Sequence, residues 1–174
     1  LMALLAGATA LACDDDQPTG PSTRQVDAIV AQKGDAQTGT AGEALDQDLV
    51  VQVQGPEDNP VSGATVQFEV KKGGGSLSAE TRTTDEQGRA QVSWTLGTTA
   101  GIEQEVRAFV PEKPDQEVFF TATAQPAVPD ELKRISGNNQ TVQTDQEAAE
   151  RMVVRVVDEF GSEVAGTTVQ FNVV

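Results

Sequence analysis

The stretch Asn59-Pro60-Val61-Ser62-Gly63-Ala64-Thr65-Val66-Gln67-Phe68-Glu69-Val70 is written into this chain twice, and the second copy limits the fold more than any other feature. It returns as Glu163-Val164-Ala165-Gly166-Thr167-Thr168-Val169-Gln170-Phe171-Asn172-Val173, 103 positions further on. Aligned at that offset, Leu49–Lys71 and Met152–Val174 share ten identities in 23 positions, where average composition gives roughly one or two. A period of this length is too long for a solenoid unit and suits a tandem array of small domains.

The repeated stretch alternates, and so do its neighbours. Leu49, Val51 and Val53 alternate with Val50, Gln52 and Gln54, and Val66, Phe68 and Val70 with Thr65, Gln67 and Glu69. The same holds for Ala90, Val92, Trp94 and Leu96, and for Val118, Phe120, Ala122 and Ala124. A helix would scatter such residues around its circumference, whereas a strand puts them on one face. Weaker alternation at Ile29–Lys33, Glu80–Thr84 and Glu103–Val110 brings the expectation to about seven strands. Turn signals separate them: Gly55–Pro60, Gly73-Gly74-Gly75, Gly97–Gly101, and Asp85-Glu86-Gln87-Gly88, which the Asp85 side chain opens. The pattern predicts an all-β antiparallel sandwich. Trp94 lies on an alternating strand, which places it in the core rather than on the surface as a platform for a sugar.

Charge and missing residue types exclude several functions. Twelve Lys and Arg against 27 Asp and Glu leave a net charge of −15, without the basic face that nucleic acid requires and repelled by anionic lipid. One cysteine, no histidine and no tyrosine rule out an intrachain disulfide, a Cys/His zinc cluster and any imidazole-based triad. The loop aspartates Asp85, Asp115, Asp145 and Asp158 are candidates for a calcium site at a domain joint, yet no D-x-[DN]-x-[DN]-G loop supports one. Asp14-Asp15-Asp16 read as a solvated charge run. Gly73-Gly74-Gly75 are turn residues, with no helix bearing Lys behind them to cradle phosphate. No catalytic residue, metal site or cofactor is expected.

Leu1–Ala12 contains no charge and has the length of an export-signal core, not of a membrane span. The chain opens on Leu1 without a basic region, so residues before it are expected. Ala10-Leu11-Ala12-Cys13 resembles a bacterial lipobox. That resemblance implies that Cys13 is the first mature residue and the site of lipid attachment, with the membrane as partner. Ordinary signal cleavage after Ala12 fits the same residues and would leave Cys13 a free thiol. Residues 14–27, with Pro18, Gly20 and Pro21, then read as a flexible acidic linker.

Several separated motifs occur together: Pro60-Val61-x-Gly63-x-Thr65-Val66-x-Phe68, Gly73-Gly74-Gly75-Ser76-Leu77, Thr83-Thr84-Asp85-x-x-Gly88-Arg89-Ala90, Val92-x-Trp94-x-Leu96-Gly97 and Phe120-Thr121-Ala122. In this order they resemble the bacterial Ig-like domain of group 1, the module repeated in cell-surface proteins of the invasin/intimin type. The resemblance implies an Ig-like sandwich over 28–124, a linker at 125–130 and the truncated start of a second such domain over 131–174. It implies a non-catalytic module of the cell envelope or surface, held by a lipid where those adhesins use a barrel. Such domains serve as stalks or carry binding tips whose loops touch a protein or glycan, or they accompany an exported enzyme. These residues contain no barrel and no lectin-like tip, so host-cell invasion is not implied.

Overall fold

The structure, a computed structural model, describes residues 25–172. In chain order, the first copy of the repeat holds β1 (Ala28–Lys33), β2 (Gln37–Thr40), β3 (Leu49–Gln54), β4 (Thr65–Lys72), β5 (Gly75–Leu77), β6 (Thr81–Thr83), β7 (Arg89–Val92), β8 (Trp94–Leu96), β9 (Glu103–Val110) and β10 (Lys113–Gln125). One sheet runs β1-β3-β7 and the other β2-β10-β9-β4-β6, with β5 and β8 paired separately. The alternating residues meet between the sheets: Leu49, Val51 and Val53 from one side, Val66, Val106 and Phe120 from the other, all fully buried. Each such side chain contributes about 1.5–3 kcal/mol by leaving water. This is the expected Ig-like sandwich.

The first copy has ten strands where about seven are expected, β5 among them beginning on Gly75 of the expected turn, and three further details depart from the pattern. The alternation of Arg89–Leu96 is not one strand but two. Ser93 interrupts it, exchanging hydrogen bonds with Ser78 at 3.0 Å in each direction, so Ala90 and Val92 pair with β3 while Trp94 pairs with Leu77 of β5. β2, a polar four-residue strand, carries no alternation that could announce it. It is also parallel to β10, because the chain steps from one sheet to the other after β1 without reversing. That step needs Gly34, at φ 93°, where a Cβ would lie 2.4 Å from the Asp48 carbonyl oxygen. Asp35 then pins the crossing, its Oδ1 accepting Thr121 N at 2.8 Å and Ala36 N at 2.8 Å. The bond from Thr121 outweighs the opposing effect of burial and lowers the Asp35 pKa. The expected turn at Asp85 is present: its Oδ1 accepts the N–H groups of Gln87 (2.9 Å) and Arg89 (2.8 Å), and its carbonyl accepts Gly88 N at 2.9 Å.

The second copy, with β11 (Glu131–Ser136) and β12 (Val153–Val157), repeats the first bond by bond at the same offset. β1 pairs with β3 with a register shift between Ala31 and Lys33; β11 pairs with β12 with one between Arg134 and Ser136. Gln37 bonds the backbone at Gly34 and Gln47, and Gln140 bonds it at Gly137 and Glu150. Gly137 repeats the left-handed Gly34 at φ 85°. Val61 N donates to Val53 O and Val164 N to Val156 O, both at 3.0 Å. Ten identities therefore understate the repeat, since positions with different side chains keep the same backbone bonds.

Burial is where the copies part. Leu132, Met152 and Phe171 are 56%, 64% and 55% exposed, against 5%, 0% and 2% for their counterparts Ile29, Leu49 and Phe68. Residues 169–172 form no strand, although the alternation predicts one and its counterpart is β4. In the first copy β4 gains its ladder from β6 and β9; among the described residues nothing stands beside Val169–Asn172 in that role.

Candidate functional site: the joint between the two copies

The described residues that bind one copy to the other lie in the linker, in one loop of the second copy and in one turn of the first. Entry into the second copy is set by backbone pairing: Asp130 N donates to Val157 O at 2.9 Å, as Asp27 N does to Gln54 O at 2.8 Å. Asp158 opens the next loop, where Gly161 N bonds its carbonyl at 2.9 Å. Its side chain, 2% exposed, is the centre of the joint. Oδ1 accepts Phe160 N at 3.0 Å and Ser162 N at 2.7 Å, while Oδ2 reaches the linker and accepts Ala127 N at 3.0 Å. Burial opposes charge on this carboxylate, but the N–H groups of Ser162, Ala127 and Phe160 outweigh it and hold the pKa below the ordinary carboxyl value.

Across the joint, the Phe160 ring covers Gly42, where a Cβ would stand 2.8 Å from Phe160 Cζ. Gly42 has φ 78° and sits in the turn between β2 and Leu45. The turn is fixed to the body of the sandwich: Ala41 N donates to Gln125 O at 2.8 Å, Gly42 N to Gly97 O at 3.3 Å, and Leu96 N to Glu43 O at 2.9 Å. Gly97 is itself held by the fully buried Gln104, whose Oε1 accepts Gly97 N at 2.7 Å while Nε2 donates to Gly97 O at 3.2 Å. A rigid turn on one side therefore meets a ring and a carboxylate on the other.

The lowered Asp158 pKa has a pH consequence of definite sign. A depressed carboxyl pKa stabilises the joint above the unfolded value of about 3.9, and the contribution is lost as pH falls through the folded value. Amide exchange at Ala127, followed against pH by NMR and corrected for intrinsic rates, is expected to stay protected down to about pH 4 and to lose protection below it. Loss of protection already above about pH 5 would mean that burial raises this pKa instead.

Among the other residues singled out from the sequence, Trp94 is fully buried, which removes any role in stacking on a sugar. Asp85, Asp115, Asp145 and Asp158 are not brought together, and the described residues contain no group of three acidic side chains able to hold a metal ion. Cys13 and Asp14-Asp15-Asp16 lie outside the described residues. Phe160, Gly42 and Ala127 were not indicated by alternation or motif. Their signal is the difference between the copies, since Gly55 and Glu57 stand where the second copy has Asp158 and Phe160. On the outer face of the larger sheet, Arg107 lies 4.2 Å from the centre of the Phe109 ring. It pairs with Glu117, although its Nε–H is not aligned for a hydrogen bond there.

Solved structures similar to this chain include intimin and invasin-type domains. The D0-D1 domain of intimin is 32% identical over 56% of this chain and 44% of that one, with a TM-score of 0.40. A C-terminal 282-residue fragment of intimin, in complex with the intimin-binding domain of the translocated intimin receptor, is 26% identical over 82% of this chain and 47% of that one, with a TM-score of 0.46. The Yersinia pseudotuberculosis adhesin InvE is 19% identical over 57% of this chain and 32% of that one, with a TM-score of 0.47. The chain thus spans less than half the length of each. No protein-family model matches it, and no curated protein does.

Proposed function

We propose that this chain is the membrane-proximal part of an exported, lipid-anchored stalk in which Ig-like modules are stacked end to end. In this reading residues 1–13 are the signal core and lipobox, Cys13 carries the lipid, and 14–27 space the first module (28–124) from the bilayer. The linker 125–130 leads to the second module, which begins at 131. The observation that supports it is the pairing of a bond-for-bond repeat with a joint in which Asp158 ties the linker to the second copy and Phe160 seats it on the first.

Small-angle scattering tests the stacking. Strands of this length give modules of about 35–40 Å, so the whole module with the partial one in line behind it has a radius of gyration of about 20 Å. A single compact body of this size has about 15 Å. The stalk requires a value near the first; the second rejects it.

A further inference from the structure

The copies differ in the residues that meet at the joint, and the differences bear on which modules can meet. The turn around Gly42 recurs in the second copy: Glu43 N donates to Thr40 O and Gln146 N to Gln143 O, both at 3.1 Å. Where the first turn has Gly42 at φ 78°, the second has Asp145 at φ 62°. The backbone therefore accepts either residue, and what glycine supplies at 42 is room. Any side chain there would begin 2.8 Å from the Phe160 ring, well inside the 3.5–4.0 Å at which carbon atoms attract. On the opposite side of the contact, the first copy carries Gly55 and Glu57 where the second has Asp158 and Phe160.

We infer that the Gly42 turn is a docking surface for one kind of partner, a following module whose loop bears an aromatic ring and a carboxylate at the places of Phe160 and Asp158. Module order is thereby encoded. The first copy's loop has Gly55 in place of the carboxylate and Glu57 in place of the ring, and the second copy's turn is closed by Asp145, so neither can make this contact with another copy of the chain. The inference rests on the stalk reading for its purpose and on the joint alone for its geometry.

NMR on the whole chain tests it through two readouts: the Overhauser contact between the Phe160 ring and Gly42 Hα, and the rotational correlation times of the two modules. Gly42→Asp is the informative variant, because Asp145 shows that this turn folds with aspartate at positive φ. It is expected to abolish the contact and separate the two correlation times, with amide shifts of the first module unchanged away from the turn. Phe160→Ala is expected to separate them from the other side, and Asp145→Gly to leave contact and common tumbling intact. Common tumbling that survives Gly42→Asp or Phe160→Ala overturns the inference, as does its loss in Asp145→Gly. If the variants behave as expected while scattering gives a compact radius, the stalk reading fails and the docking rule stands.

Discussion

Replacing Trp94 with alanine is expected to remove about 3–5 kcal/mol from the stability of the first module, a large share of the 5–15 kcal/mol that holds a domain of this kind folded. Trp94 is the largest fully buried side chain, and it sits where the chain passes from one sheet to the other, paired with Leu77 and flanked by Val92 and Leu96. Its Nε1–H finds no acceptor among the described residues, so either substitution also removes a buried, unpaired donor. Phenylalanine at this position leaves a smaller cavity and removes the unpaired donor, whose burial costs about 1–3 kcal/mol. Trp94→Phe should therefore retain most of the stability that Trp94→Ala loses. Denaturant unfolding followed by circular dichroism measures both, since the chain has one tryptophan and its fluorescence disappears with it. Equal losses in the two variants would show that packing around the ring contributes little.

The second large effect concerns Cys13. If this residue carries the lipid, Cys13→Ser removes the thioether on which acylation depends, and with it every chain that could enter the bilayer. At about 0.8 kcal/mol per buried methylene, two or three acyl chains hold a protein on a membrane stably, whereas one holds it marginally. Nothing in a body of net charge −15 replaces them on an anionic surface. Expressed with labelled fatty acid in a bacterium, the unsubstituted protein is expected to take up label and sediment with membranes. Cys13→Ser should take up none and move almost wholly to the soluble exported fraction. Ordinary cleavage after Ala12 predicts instead that both proteins are soluble and unlabelled.

How much of this was legible in the sequence depends on where each structure draws its stability. Leu49–Gln54 and Thr65–Val70 are readable because half-burial imposes a period of two on the side chains themselves. β2 is not, because Gln37–Thr40 contributes backbone pairing to β10 and little else. Arg89–Leu96 shows the limit of the pattern: the alternation runs unbroken through Ser93, yet the partner strand changes there, and partner choice leaves no periodic mark. Val169–Val173 shows the converse, alternating like its counterpart β4 while its described part, Val169–Asn172, forms no strand. A strand needs a neighbour as well as a propensity. The joint was the least legible part. Asp158 reads from the sequence as a loop acid, but Gly42, Ala127 and Phe160 lie in separate segments with no shared motif. They stand out only when the two copies are superposed and their unlike positions fall on one surface.

The central claim is that successive copies of one sandwich dock in line. Negative-stain images of the full-length protein test it most directly. The account predicts beads about 35–40 Å apart along a line, and a single compact globule would contradict it.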